Sequence, residues 1–211
     1  MGIPVLLIGR SGSGKSASLR NFANNEYGFI NVMGKKLPFK SDKKYAKTIS
    51  YPAVKSNLLA YATKTDCIVI DDAGYLITDE FMRKGEEKGY AKFTEMASNF
   101  YNLLMFIQKE MESNIVVYIF MHEEIDDLGY VKPKTIGKLL DEKIDIAGMF
   151  TIVLNANKKE GKYIFRTQTD GFDVTKSPMG MFESEEIDND LKVVQNKIKE
   201  YYGLWNDKVE N

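Results

Sequence analysis

The chain has 211 residues, 44% of them hydrophobic and 28% charged, a globular composition with too much apolar content for general disorder. Its 29 basic and 30 acidic side chains leave a formal net charge of −1, which excludes a uniformly basic nucleic-acid coat while leaving room for a local basic patch. A single cysteine, no secretory leader pattern and apolar runs far below the roughly 20 residues of a membrane span predict a cytoplasmic protein without membrane contact.

Residues 1–9, Met-Gly-Ile-Pro-Val-Leu-Leu-Ile-Gly, form an apolar run ending in glycine and read as a buried strand. Residues 16–24 read as a helix with Leu19, Phe22 and Ala23 on one face, and residues 28–33 as a second short strand. Residues 35–47 hold six lysines and one aspartate without clear periodicity. A helix over 54–62 precedes the apolar run Cys67-Ile-Val-Ile70, which ends in Asp71-Asp72. Between 90 and 111, apolar residues from Phe93 through Phe100 and Leu104 to Met111 recur at spacings of three and four, the stripe of an amphipathic helix. Ile115-Val-Val-Tyr-Ile-Phe-Met121 is β-branched and aromatic, hence a buried strand. Strands at 150–154 and 163–167 flank the polar turn Asn157-Lys-Lys-Glu-Gly161. Residues 183–190 carry five acids and no base, and lead into a closing helix through Leu191, Val194, Ile198 and Tyr201. Alternating strands and helices imply an α/β fold, its mostly parallel central sheet flanked by helices and finished by a late antiparallel hairpin. One core over 1–182, followed by an acidic segment and helix over 183–211 packed on or extending from it, accounts for the chain.

Gly9-Arg10-Ser11-Gly12-Ser13-Gly14-Lys15-Ser16 satisfies G-x-x-x-x-G-K-[ST] at every fixed position, after an expected strand and before an expected helix. Glycines let the backbone wrap with N–H groups inward, and a helix start adds positive potential for phosphate. These eight residues and Ala17 are therefore the expected contacts for ATP, with Lys15 reaching the β- and γ-phosphates and Ser16 ligating Mg²⁺. The metal's second protein ligand should end another buried strand. Asp71 fits, and Asp72 beside it can polarise the attacking water. His122, the only histidine, follows the strand 115–121, where an α/β sheet lines its ligand crevice; it is the expected sensor of the γ-phosphate or orienter of water, with Glu123 and Glu124 as rival bases. Two short patterns favour a GTPase instead: Asp71-Asp-Ala-Gly74 reads D-x-x-G, and Asn157-Lys-Lys-Glu160 approximates N-K-x-D with glutamate for aspartate.

The four arginines, Arg10, Arg20, Arg83 and Arg166, are too few for the arginine-rich lid of a nucleotide kinase. The early phosphate-loop motif, Asn31-Val-Met-Gly-Lys-Lys-Leu-Pro-Phe39, Ile68-Val-Ile-Asp-Asp72 and Phe120-Met-His122-Glu together resemble phage-encoded AAA-type ATPases with a RecA-like core, including recombination ATPases grouped with single-strand annealing proteins of the Sak type. The resemblance runs from about residue 3 to 182. It implies a P-loop NTPase fold, ATP and Mg²⁺ as ligands, contact with single-stranded DNA, cooperation with a single-strand-binding or recombination protein, assembly into a homo-oligomer, and the cytoplasm of a bacterial host. It carries ATP contact to Gly12 through Ser16, metal contact to Ser16 and Asp71, and the sensor role to His122. In a RecA-like core the loop after the His122 strand contacts DNA, which makes Lys132, Lys134 and Lys138 the candidate DNA ligands, with the lysine-rich stretch 35–47 as a second candidate. Such a recombinase also places a catalytic glutamate near the second strand, where Glu26 is the only acid. With Arg10 and Arg20 near the loop, Arg83 and Arg166 remain as finger candidates, Lys158 and Lys159 as substitutes. Three readings stand: an ATPase acting in phage DNA recombination, a nucleotide-gated interaction module with weak turnover, and a GTPase switch.

Overall fold

The computed structural model of the chain describes residues 1–136 and 144–204. Its elements are β1 (Ile3–Gly9), a 3₁₀ helix (Ser16–Asn21), β2 (Gly28–Asn31), β3 (Ala46–Lys47), α1 (Tyr51–Ala62), β4 (Cys67–Asp71), α2 (Gly74–Arg83), α3 (Ala91–Glu110), β5 (Val116–Ile125), β6 (Val131–Pro133), a second 3₁₀ helix (Ile146–Met149), β7 (Ile152–Lys159), β8 (Lys162–Arg166), β9 (Glu186–Asp188) and α4 (Leu191–Tyr202). The strands form one mixed sheet in the order β3-β2-β4-β5-β1-β7-β8-β9, with β6 paired to β5. From β3 to β7 the neighbours are parallel, and β8 and β9 close the far edge antiparallel.

Strand alternation divides the core in two. Leu6 and Ile8 of β1, with Val117, Ile119 and Met121 of β5, pack against α1, α2 and α3. Val5 and Leu7, with Val116, Tyr118 and Phe120, pack on the other face against α4 and the first 3₁₀ helix. Successive side chains point to opposite faces, so strands covered on both sides must be apolar throughout, as β1, β4 and the first part of β5 are. The periodic stripe of α3 behaves as its spacing predicts: Met96, Ala97, Phe100, Leu103, Leu104 and Ile107 are all buried. Among the described residues no helix is long and apolar enough to cross a membrane.

Several elements differ from expectation for identifiable reasons. The helix expected over 16–24 is a six-residue 3₁₀ helix, because Ser18 Oγ donates to the Lys15 carbonyl (2.6 Å) in competition with the helical ladder and Phe22 turns extended at ψ 138°. β5 does not end at Met121; Glu123–Ile125 pair antiparallel with β6, so His122 lies inside a strand and the expected loop begins as a hairpin. The late turn is only Glu160–Gly161, both at positive φ as a two-residue hairpin demands. α2 was not anticipated. Residues 183–204 share the sheet and core of the rest: β9 pairs with β8, and Leu191, Val194 and Ile198 join the α4-side cluster. Asp190 caps α4 by accepting from the Lys192 amide (3.0 Å), and the Tyr118 hydroxyl donates to Gln195 Oε1 (2.8 Å) beneath it. Replacing fully buried Ile198 by alanine should therefore lower unfolding stability by about 2–5 kcal/mol in a urea titration; an unchanged midpoint would show that α4 adds nothing to the fold.

Candidate functional site

The parallel register brings distant residues to one edge. Gly9 lies opposite His122, Ile8 opposite Asn155, and Asn31 opposite Asp71. Crevices at the carboxyl ends of parallel strands are where open α/β sheets bind ligands. The loop 9–16 leaves β1 here. A Cβ on Gly9 would stand 2.6 Å from the Ala156 carbonyl, and one on Gly14 (φ +97°) would stand 2.9 Å from the Tyr163 ring. Neither position tolerates a side chain, so the loop curls tightly under β7 and β8. Gly12 adds a third positive φ, and buried Ser13 donates its amide to the Arg10 carbonyl.

Lys15 is buried, its ammonium donating to the carbonyls of Gly9 (2.6 Å) and Arg10 (2.9 Å). Burial lowers its pKa, opposed by the charges of Asp71, Asp72 and Glu123. Ser16 Oγ donates to Asp71 Oδ2 at 2.9 Å, while Asp71 Oδ1 is buried without a hydrogen-bond partner. Desolvation, then the neighbouring Asp72 charge, raise the Asp71 pKa to about 6. Asp72 follows in the left-handed region at φ 61° and accepts from Lys35 Nζ at 2.8 Å. His122 Nε2 stands 3.5 Å from the other Asp72 oxygen, and Tyr75 meets the imidazole edge-on. Burial first, then the positive charge of Lys15, lower the His122 pKa, so the ring is neutral at pH 7 and its contact with Asp72 is not an ion pair. Ser11, Gly12, Ser16 and Ala17 line the same cavity of about 260 Å³ as Asp71, Asp72 and His122. On the other side of the loop, Arg10 Nε stands 3.3 Å from Glu123 Oε1, and Asn155 Nδ2 donates to Oε2 at 2.9 Å.

Among the described residues no three His, Cys, Asp or Glu side chains cluster to hold a metal. The Ser16–Asp71 pair is all oxygen, with one carboxylate atom unsatisfied. That suits a hard cation such as Mg²⁺, which takes its remaining ligands from phosphate and water rather than from a protein cage.

Other expected residues sit elsewhere. Lys132 pairs with Glu124 across the β5–β6 hairpin (3.6 Å), Lys134 is exposed beside the cleft holding Tyr75 and His122, and Lys138 lies outside the described residues. Glu26 precedes β2 at the opposite edge of the sheet and binds Lys192, so it does not reach the loop. Arg83 binds Asp79, Arg166 binds Asp170 and Asp173, and Lys159 binds Glu186. Asn157–Glu160 occupy the end of β7 and its turn, all exposed. Sequence reasoning missed Lys35, Tyr75, Asn155 and Tyr163 as neighbours of the loop. The one legible hint was Asn31 three residues before Gly34, the spacing of an Asx turn.

No protein-family model matches the chain, and no curated protein matches it significantly.

The Asp71 carboxyl yields a test independent of any ligand. Its pKa is higher in the folded than in the unfolded chain, so the fold loses stability as pH rises from about 4 through about 6. Asp71→Asn, which can still accept from Ser16, should raise the stability of the ligand-free protein at pH 8 by up to about 3 kcal/mol. That gain should vanish below pH 4. A variant that is equally destabilised at both pH values would contradict the buried-charge account.

Proposed function

We propose that the chain is a P-loop nucleoside triphosphatase with a RecA-like core that binds ATP together with Mg²⁺ at the loop 9–16. The observation that carries this reading is the hydrogen bond from Ser16 to a buried acid on β4, a strand separated from β1 by β5. A glycine-rich turn of merely structural purpose has no need of a half-satisfied carboxylate at its end. Ser16 and Asp71 would hold the cation, which when bound offsets charge on the phosphates. Lys15, now resting on its own loop's carbonyls, is the ammonium available to phosphate oxygens. Asp72 is the acid beside the attacking water. Neutral His122 offers that water or the terminal phosphate a hydrogen bond without adding charge.

One observation favours slow turnover, as in a nucleotide-gated module. At this edge Asp72 is engaged by Lys35, Glu123 by Arg10 and Asn155, and Glu124 by Lys132. A general base must first shed its partner. The further role, in phage DNA recombination on single-stranded DNA with a single-strand-binding or recombination protein and with self-assembly, rests on the resemblance of the motifs. Exposed Lys134 at the mouth of the cleft supports it.

Lys15→Ala should weaken ATP binding by about a hundredfold, the scale of a lost charge-assisted contact, while leaving the ligand-free chain folded. Unaltered affinity in a folded variant rules out the loop assignment, and preference for GTP over ATP in the same calorimetric titration selects the GTPase alternative. For DNA, fluorescence anisotropy with a single-stranded oligonucleotide should show affinity falling with salt, and Lys134→Ala should reduce the slope by about one unit. Salt-independent or undetectable binding removes DNA from the account.

A further inference from the structure

Lys35 belongs to a lysine-rich stretch whose composition alone suggests a solvated surface, yet the chain aims it at the site. Buried Asn31 ends β2 beside Asp71; its Oδ1 accepts from the Gly34 amide (2.7 Å) and its Nδ2 donates to the Lys35 carbonyl (2.6 Å). Gly34 at φ +68° completes the turn. The Lys35 side chain then crosses to Asp72 and lies 5.1 Å from the centre of the Tyr75 ring. It lines the 260 Å³ cavity with Lys15 and Ser16, and also the adjoining 520 Å³ cleft with Tyr75 and Lys134. Lys35 therefore stands where the two spaces meet, beyond the loop and beside both Asp72 and His122.

Lys36 lines the same cavity and Lys134 the cleft, but of these three lysines Lys35 is the one paired with Asp72, and the four arginines are engaged elsewhere. Arg83 and Arg166 are bound to acids on their own segments, Arg10 lies against Glu123, and Arg20 donates to the Asn189 carbonyl (2.6 Å). The Lys35–Asp72 pair differs from these in being held at the 260 Å³ cavity itself, with the lysine side chain half exposed. A terminal phosphate, with higher charge than a carboxylate and three acceptor oxygens, competes well for an ammonium on a flexible stem.

Resting on the P-loop reading, we infer that Lys35 is a terminal-phosphate ligand supplied by the same chain, which leaves Asp72 when a triphosphate occupies the loop and so frees that acid. The site then tells triphosphate from diphosphate within one subunit, without a cation from a neighbour. Occupancy of the terminal position and release of the base become one event.

Calorimetric titration of the full chain with ADP and with a non-hydrolysable ATP analogue, each with Mg²⁺, tests this. The wild type should bind the analogue more tightly than ADP. Lys35→Met, which keeps the stem, should lose about ten- to a hundredfold in analogue affinity, with ADP affinity changed less than about twofold, and Lys35→Arg should restore most of the loss. An unchanged analogue-to-ADP ratio in a folded Lys35→Met overturns the inference alone. So does an equal loss for both nucleotides, which would make Lys35 a pocket-shaping residue. Wild-type protein that binds neither nucleotide overturns the loop assignment and this inference with it.

Discussion

Asp71 carries the structure's central constraint: a carboxyl group almost out of water, one oxygen tethered by Ser16 and the other bonded to nothing. Burying such a group unsatisfied destabilises a fold, and an orphaned buried oxygen calls for a reason such as an ion or water that completes it. The surrounding architecture serves to keep that carboxyl where it is. β4 is apolar on both faces up to Ile70, so its end is fixed by two packed layers. The Val32 amide binds the Asp71 carbonyl, and the Ala73 amide binds the Phe120 carbonyl, pinning the chain on either side to neighbouring strands.

Around this point the polar groups form two arms. On one side Lys35, Asp72, His122 and Tyr75 interlock above the start of α2. On the other, Arg10, Glu123 and Asn155 join the loop to β5 and β7. The insertion of β5 between β1 and β4 is what separates the arms and sets His122 level with Gly9. Charges are nearly balanced within each arm, so on the proposed reading an arriving polyanion with its cation would have to exchange partners with both. On that reading the exchange would link binding to rearrangement of the acids, and turnover would be limited by release of a base rather than by affinity.

Much of the sheet and the loop could be read from the chain. The continuous apolar runs of β1, β4 and β5 and the three-four stripe of α3 are strong signals, because the runs are buried almost throughout and the stripe is the face that α3 turns to the core. Gly9, Lys15, Ser16 and Asp71 announced themselves by residue type and spacing, although what they bind follows from chemistry and not from the fold alone. Other features depended on tertiary contact. Nothing local distinguishes Glu123 and Glu124 as strand residues; they become so by pairing with β6. The weak helix after the loop reflects the Ser18 hydroxyl, which competes for the Lys15 carbonyl. Lys35 resembles its lysine neighbours until the Asn31 turn selects it.

The most direct test of the central claim is a crystal structure of the full chain with a non-hydrolysable ATP analogue and Mg²⁺. The account predicts the phosphates within the loop 9–16 and a metal at roughly 2.0–2.1 Å from the Ser16 hydroxyl oxygen, with Asp71 Oδ1 turned toward it directly or through one water. A nucleotide bound away from the loop, or a metal that leaves Asp71 Oδ1 buried and unpartnered, would contradict it.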